Sequence, residues 1–299
     1  VLSAGSTHSY TVAFADNNSS PLSQTNTFSF TVANYLTLPA AYAKPAGSAT
    51  TPGFTYRTVK APLGTSELPN TIARAKAQLN LTLIDPNTGA PYENSATPGP
   101  NPDGSYDVDT INFEQFGNAA GNLAGDQPFP GLDAADHDSF STEALFYLDL
   151  PAGYYRFGVN SDDGFEVSVG TLPQDAFAPQ TVLGVYDGGR GPSDTLFDFL
   201  APTAGTYSFR LIYEEGSVGA SCEFFSVDPA TGERILVNDG ANPNAITAYR
   251  ALDGVVQPPY VRAVEPSPDA TDILVDTLIS AYIWDGANAV SEQSIILKL

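Results

Sequence analysis

The sequence predicts an all-β fold, and three observations support this prediction. Apolar and polar residues alternate with a period of two in many short runs along the 299 residues, which is typical of half-buried strands. The 26 Gly and 24 Pro residues gather with Asn and Asp between these runs, as residues of turns do. Only one good helical pattern stands out. Strands at this spacing predict a β-sandwich with one short helix.

The first segment predicts an antiparallel hairpin over residues 6–34. Two alternating runs, HSYTVAFAD and TFSFTVANY, flank the turn-forming stretch DNNSSPLSQTN, so the two strands can pair directly. The apolar residues that share a face are Tyr10, Val12 and Phe14 in the first strand and Phe28, Phe30 and Val32 in the second.

Residues 35–109 predict a linker followed by the single helix. The stretch 35–69 is rich in Pro, Thr and Ala and has a strand pattern at FTYRTVKA. The helix pattern is NTIARAKAQLN, which either Asn70 or Thr71 can cap. A long turn-rich excursion follows the helix. We expect this whole segment to belong to the central domain.

A second β region begins near Ile111 and contains most of the predicted strands. The pair GYYRFGVN and GFEVSVG looks like a hairpin that Asp162 and Asp163 interrupt. The aromatic stripe in TYSFRLIY predicts sandwich core. The predicted strands are 144–150, 153–160, 164–170, 195–201, 206–215, 222–228 and 232–238.

The last segment, 258–299, predicts two strands around a Pro-rich turn and a short closing strand. The second of these strands ends at Trp284. The closing run SIILKL places Ile295, Leu297 and Leu299 on one face, as alternation in a strand requires.

The net charge of −22 restricts the classes of partner. The 34 acidic residues against 12 basic ones repel phosphate backbones and anionic lipids, so we expect neither nucleic-acid binding nor membrane insertion. Divalent cations and neutral ligands remain suitable. The one cysteine, Cys222, excludes an internal disulfide. The composition is typical of an extracellular or cell-surface protein, and the absence of Met predicts an excerpt of a longer or processed chain.

We expect no enzymatic activity from this chain. It has two histidines, His8 in a strand pattern and His137 in an acidic loop. No Gly-x-Ser-x-Gly nucleophile motif is present. Paired carboxylates for glycoside hydrolysis need a defined separation, which a sequence does not give.

Two motifs resemble the PA14 domain family. They are PAGYYRFGVNSDDGFEVSVG at 151–170 and LAPTAGTYSFRLIYEEGSVGASCEFFSVD at 200–228. The resemblance implies a PA14-like β-sandwich, which we place at 110–257. In lectin-like members of the family a cis peptide joins two adjacent aspartates, which bind Ca²⁺, and the ion coordinates sugar hydroxyls. The resemblance gives that role to Asp162 and Asp163.

The pair Asp162–Asp163 has two interpretations at this stage. Neighbouring side chains of a strand face opposite sides, so the two carboxylates share an ion only if the backbone departs from strand geometry. Otherwise the aspartates form a turn, with Gly164 supplying the unusual dihedral angle. Four residues are possible additional ligands: Asn160, Asp187, Glu214 and Glu215.

The two ends of the chain look like two halves of an immunoglobulin-like domain. Residues 1–34 resemble its last strands and 258–299 its first, and each has too few strands to bury an apolar face alone. Either neighbouring residues of a giant surface protein complete each half, or one copy of the chain completes the next. The alternative is two independent hairpins. The predicted interface comprises Tyr10, Val12, Phe28, Phe30, Ile295, Leu297 and Leu299.

These patterns lead to one functional hypothesis and one alternative. The first is a repeat unit of an extracellular filament, stalk or giant surface protein, joined head to tail to copies of itself and stiffened by Ca²⁺. The alternative is a Ca²⁺-dependent carbohydrate-binding adhesin module with glycans as partners. The two are compatible.

Overall fold

The computed structural model describes residues 2–133, 136–254, 256–266 and 270–298. These residues form 18 strands, one α-helix and two short 3-10 helices. Within the same ranges, no helix has the length and apolar character needed to cross a membrane.

The strands up to the middle of the chain are β1 Thr7–Ala15, β2 Ser23–Thr31, β3 Leu36–Thr37, β4 Ala49–Pro52, β5 Phe54–Lys60, β6 Tyr106–Val108, β7 Asn112–Glu114, β8 Phe140–Leu150 and β9 Gly153–Asp162. The later strands are β10 Gly164–Gly170, β11 Gln180–Tyr186, β12 Ser193–Ala201, β13 Gly205–Glu215, β14 Ser221–Val227, β15 Arg234–Leu236, β16 Ala248–Leu252, β17 Tyr260–Glu265 and β18 Ser280–Trp284. The helix α1 is Ile72–Leu79, and the 3-10 helices are Ala40–Tyr42 and Glu292–Ser294.

Two sheets form the body of the molecule. The eight-stranded sheet has the order β11-β10-β13-β8-β16-β4, and β5 pairs with both β8 and β6. The six-stranded sheet has the order β15-β14-β9-β12-β3, and β7 pairs with β14. Strand pairs are antiparallel except β3 with β12. The hairpins β1–β2 and β17–β18 are separate two-stranded sheets.

The two sheets pack face to face through aromatic side chains. Phe146 of the eight-stranded sheet lies 5.3 Å from Phe224 of the six-stranded sheet, between ring centroids. Phe199 and Phe209 meet across the same interface at 6.1 Å. Each fully buried side chain of this size contributes about 1.5–3 kcal/mol to folding. The all-β sandwich with one helix is therefore confirmed, and the predicted aromatic stripe of β13 lies in its core.

The predicted strands of the central region all form, although the last is shorter than predicted, Arg234–Leu236 instead of 232–238. The N-terminal hairpin also forms, in continuous register from Thr7 opposite Thr31 to Ala15 opposite Ser23. The prediction of a closing strand was wrong. Residues 295–298 are outside any strand and follow the 3-10 helix Glu292–Ser294, because no strand of the described chain pairs with them. Leu299 lies outside the described residues.

A predicted hairpin around Asp162–Asp163 was also wrong. The strand β9 belongs to the six-stranded sheet and β10 to the eight-stranded sheet. The two aspartates are therefore the point at which the chain crosses from one sheet to the other, at an end of the sandwich. Alternation along each strand gives its two faces but not its partner.

The helix α1 packs on the outer face of the eight-stranded sheet. Ala75 and Leu79 form a small buried cluster with Val59 of β5 and Ile212 of β13. Of the two predicted caps, Thr71 takes the role: its side chain accepts a hydrogen bond from the backbone N–H of Arg74 at 3.2 Å. The segment before the helix is thereby held near the sandwich end that carries the aspartates.

Candidate metal centre

The chain brings Asp162 and Asp163 to the end of the sandwich where β9 gives way to β10. The peptide bond between them is cis, which agrees with what the family resemblance implies. Asp163 is 5% exposed, whereas Asp162 is half-buried. The first aspartate thus borders on solvent, and the second lies beneath it.

A third carboxylate, from Glu215, joins the pair. One carboxylate oxygen from each of Asp162, Asp163 and Glu215 lies within 4.8 Å of the other two. Glu215 is the last residue of β13 and is fully buried. The end of β9, the end of β13 and the residue that joins β9 to β10 therefore bring oxygen atoms from two sheets to one point.

The Asp163 carboxylate is held from three directions. It accepts hydrogen bonds from the Asn70 side-chain amide at 2.6 Å, from the backbone N–H of Arg190 at 2.8 Å and from that of Gly216 at 3.3 Å. These donors come from the segment before α1 and from two loops. The carboxylate is therefore fixed in orientation before any ligand binds.

The Tyr213 hydroxyl links the other two acidic residues. It lies within hydrogen-bond distance of the Asp162 carbonyl oxygen and 2.9 Å from Oε2 of Glu215. A hydroxyl carries only one proton, so both contacts are satisfied when Glu215 is itself protonated. Burial, and then the neighbouring Asp163, raise the pKa of Glu215 to about 11, which agrees with a protonated carboxyl in the cation-free protein.

The electrostatics of the cluster favour a bound cation. Burial, and then Asp163, raise the pKa of Asp162 to about 6, because like charges in a poorly solvated place disfavour ionisation. Oε1 of Glu215 and Oδ1 of Asn70 are buried without a hydrogen-bond partner among the described residues. An all-oxygen donor set of this kind suits a hard cation such as Ca²⁺.

Only one of the four predicted additional ligands lies at this centre. Glu215 does, but its neighbour Glu214 faces the opposite side of β13, where it forms a 2.5 Å ion pair with Arg74. Burial raises the pKa of Glu214 to about 7 despite Arg74. Asp187 instead accepts a hydrogen bond from the backbone N–H of Ile72 at 2.7 Å.

The side chain of Asn160 also has a partner outside this centre. Its side-chain amide donates to Asp194 at 2.7 Å, within the six-stranded sheet. The sequence prediction thus combined residues from four different surroundings, since loop ends and strand ends look alike without their partners.

The sequence did not identify three residues that shape the centre. The sequence analysis took Asn70 as a possible helix cap and Tyr213 as part of the aromatic stripe, and it assigned no role to Arg190, which lies between β11 and β12. Each reaches the centre from a distant position in the chain. No local pattern marks them, because their contacts depend on tertiary packing.

The chain is similar to several solved structures. A PA14 sugar-binding domain from an RTX adhesin matches with a TM-score of 0.44 and 18% identity, over 68% of this chain and 100% of that one. The PA14 domain of MpAFP antifreeze protein matches with a TM-score of 0.41 and 17% identity, over 66% and 90%.

The Epithelial Adhesin 9 A domain from Candida glabrata, in complex with Galb1-3GlcNAc, matches with a TM-score of 0.42 and 13% identity, over 72% and 99%. No protein-family model matches the sequence, and no curated protein matches it. Since these TM-scores are below 0.5, the sandwich is assigned from its own strand pairing, and the PA14 resemblance remains one of sequence motifs.

Proposed function

We propose that this protein is a cell-surface module that binds Ca²⁺ through Asp162, Asp163 and Glu215 and binds a carbohydrate through that ion. The observation that supports it most is the approach of three carboxylate oxygens within 4.8 Å of one another. Buried carboxylates at this spacing need protons or a cation to offset their repulsion. The buried, unpartnered Oε1 of Glu215 is a free ligand atom for such a cation.

We place the carbohydrate at the solvent-facing side of the centre, next to Asp162. Ca²⁺ takes six to eight oxygen ligands, so three carboxylates do not complete its shell. The bound ion would supply a positive centre for hydroxyl oxygens. Asp162 borders on solvent, and a Cβ atom at Gly219 would lie 3.0 Å from its Oδ2. The glycine thus keeps the rim beside Asp162 open.

The cation site is tested by the thermal stability of the protein with Ca²⁺ and with a chelator. A ligand that binds only the folded state adds about 2.7 kcal/mol at a hundredfold excess over Kd, so we expect Ca²⁺ to raise the Tm. Asp162→Asn or Asp163→Ala should remove the part of this rise that comes from this centre. The exposed Asp253 gives a matched control, Asp253→Asn, which should keep it. Identical melting curves in Ca²⁺ and chelator would contradict the proposal.

The carbohydrate is tested separately on an array of glycans. We expect binding in Ca²⁺ that a chelator or Asp162→Asn removes and Asp253→Asn retains. If Asp162→Asn reduces the Ca²⁺-dependent rise in Tm but the wild type binds no glycan, the metal centre stands and the carbohydrate function is rejected.

A second candidate function, head-to-tail assembly, is favoured by the exposed aromatic face of β1–β2. Tyr10 is 52% exposed and Phe28 47%, and their rings stack on each other at 5.4 Å without cover from another described element. An isolated two-stranded hairpin is marginally stable. We propose that the apolar end of another copy, including Ile295 and Leu297, pairs there.

The predicted face also includes Val12 and Phe30, which are 44% and 45% exposed. Ile295 and Leu297 are exposed as well, at 50% and 64%. We expect concentration-dependent polymers in electron micrographs, lost when residues 290–299 are deleted or when Phe28 is replaced by Ser. A wild-type chain that sediments as a monomer at every concentration would rule out assembly through these residues.

A further inference from the structure

A second group of oxygen-bearing side chains crosses the six-stranded sheet. Asn112 of β7 lies opposite Glu223 of β14, Glu223 lies opposite Asn160 of β9, and Asn160 lies opposite Asp194 of β12. Directly opposed residues of antiparallel strands project from the same face, with Cβ atoms about 4.5–5.5 Å apart. Four polar side chains therefore form one row across four strands.

The loop 118–126 covers this row. Glu223 is fully buried and accepts hydrogen bonds from the backbone N–H groups of Asn122 at 2.9 Å and Leu123 at 2.8 Å. The Asn112 side-chain amide donates to the carbonyl oxygen of Ala124 at 3.2 Å. The row is thus enclosed between the sheet and the loop.

The side chain of Asn160 has one engaged atom and one free atom. Its nitrogen donates to Asp194, whose carboxylate also accepts from Asn122 at 2.6 Å and from Arg234 at 2.5 Å. Because the amide nitrogen is engaged by Asp194, Oδ1 is the atom of this side chain that remains available to a ligand. Asn160 is 5% exposed, and this oxygen has no hydrogen-bond partner among the described residues.

Further acceptors without donors lie under the same loop. Asp126 is 6% exposed, and both of its carboxylate oxygens lack a hydrogen-bond partner in the described part of the chain, as does Oδ1 of Asn112. The backbone N–H of Ala120 approaches the Asp126 carboxylate without completing a hydrogen bond. Burial is the largest cause that raises the pKa of Glu223, and Asp126 is close enough to raise it further.

Among the salt bridges of the described residues, none involves Glu223 or Asp126. A buried acceptor that lacks a donor destabilises the folded state, and more so when it is charged. Asn112, Glu223 and Asn160 occupy neighbouring register positions, and Asp126 is close enough to influence Glu223, so a positive ligand here would offset these unpaired acceptors.

We propose that Asp126 and Glu223, together with the side-chain oxygens of Asn112 and Asn160, bind a second divalent cation of the Ca²⁺ class beneath the loop 118–126. Two carboxylates and two amide oxygens are ligands that Ca²⁺ prefers. The ion would bind the loop to the sheet. This site shares no ligand with the centre at Asp162, so either one can exist without the other.

The test counts Ca²⁺ ions bound per chain by equilibrium dialysis and calorimetry. We expect two ions for the wild type and one for Asp126→Asn, which preserves shape and breaks no completed hydrogen bond. Glu223→Gln should also bind one, and Asp253→Asn should bind two. Circular dichroism establishes that each variant is folded. Crystals soaked in Tb³⁺ should show an anomalous peak beneath the loop.

Two results would overturn the second site. One is a folded Asp126→Asn variant that binds as many ions as the wild type, and the other is the absence of a Tb³⁺ peak under the loop. A proton on Glu223 or an enclosed water would then satisfy the acceptors. The variant Asp162→Asn distinguishes the two proposed sites, since it should remove only the ion of the first centre and leave the ion beneath the loop.

Discussion

At the scale of single residues, Glu143 is the acidic group with the largest number of charged partners in the described protein. It is 2% exposed and forms salt bridges with Arg57 at 3.0 Å, Arg210 at 2.7 Å and Arg262 at 3.0 Å. Burial alone would raise its pKa, but the three guanidinium groups hold it well below the usual range. The carboxylate is therefore ionised in the folded protein.

We expect Glu143→Gln to lower the free energy of unfolding by about 3–5 kcal/mol, since it leaves three buried cations without their anion. Urea denaturation at neutral pH measures this change. Glu67 is exposed, and Glu67→Gln is the matched control, which should change the free energy of unfolding by less than about 0.5 kcal/mol. An equally small effect at Glu143 would contradict the structural account.

The same residue predicts a dependence of stability on pH. Because the pKa of Glu143 is lower in the folded state, its contribution is fully present above the ordinary value of 4.5. It is lost as the pH falls toward the folded pKa. The stability difference between wild type and Glu143→Gln should therefore be constant from pH 7 to 5 and shrink below 4.5. A difference that grows in acid would contradict this sign.

For the pair Glu214 and Glu215, the sequence pattern does not decide which side chain faces the candidate metal centre. Alternation requires that one points inward and the other outward. The partners on the two sides of β13 distinguish them. Glu214 pairs with Arg74 on one side, and Glu215 lies with the two aspartates on the other. The sequence marked both residues as possible ligands, and the distinction between them belongs to tertiary structure.

At the scale of elements, the helix α1 anchors the segment that supports Asp163. Its cap Thr71 accepts from the N–H of Arg74, and Asp187 accepts from that of Ile72. Carboxylate and hydroxyl acceptors satisfy N–H groups that a helix start leaves free. Asn70 precedes the cap directly and donates to Asp163, so the helix start and the candidate metal centre are mechanically linked.

We expect Thr71→Ala to lower the free energy of unfolding by about 1 kcal/mol, the usual cost of a lost cap. It should also weaken Ca²⁺ binding, because Asn70 is then less well placed. Thr71→Ser retains the oxygen and should restore both properties. Chemical denaturation and calcium titration measure the two effects, and equal losses in the Ser and Ala variants would refute the capping role.

At the scale of the whole molecule, the two terminal hairpins stand in different relations to the sandwich. The hairpin β17–β18 is attached through Arg262, which bonds Glu143 and lies over the Trp284 ring at 4.3 Å. The strands β1 and β2 pair only with each other. The predicted immunoglobulin-like halves thus differ in attachment, and their completion by another chain segment stays a prediction.

We expect a chain without residues 1–34 to keep the stability of the sandwich. The hairpin residues are almost all exposed, so the free energy of unfolding should change by less than about 0.5 kcal/mol. Removal of residues 1–60 is the contrasting control, since it deletes β4 and β5 from the large sheet and should abolish folding. Unfolding of the shorter truncation would show that the hairpin is part of the core.

The sequence by itself determined the all-β class, most strands, the helix and the position of the aspartate pair. Period-two alternation, turn residues and the motif around Asp162 are all patterns of residues that are close together in the chain, so the sequence alone reveals them. Only the tertiary structure decided that β9 and β10 lie in different sheets and that Glu215 completes the first acidic cluster. It also decided that Asn160 belongs to another row. These outcomes depend on which strands pair, and pairing is set by burial summed over the whole chain rather than by any short segment.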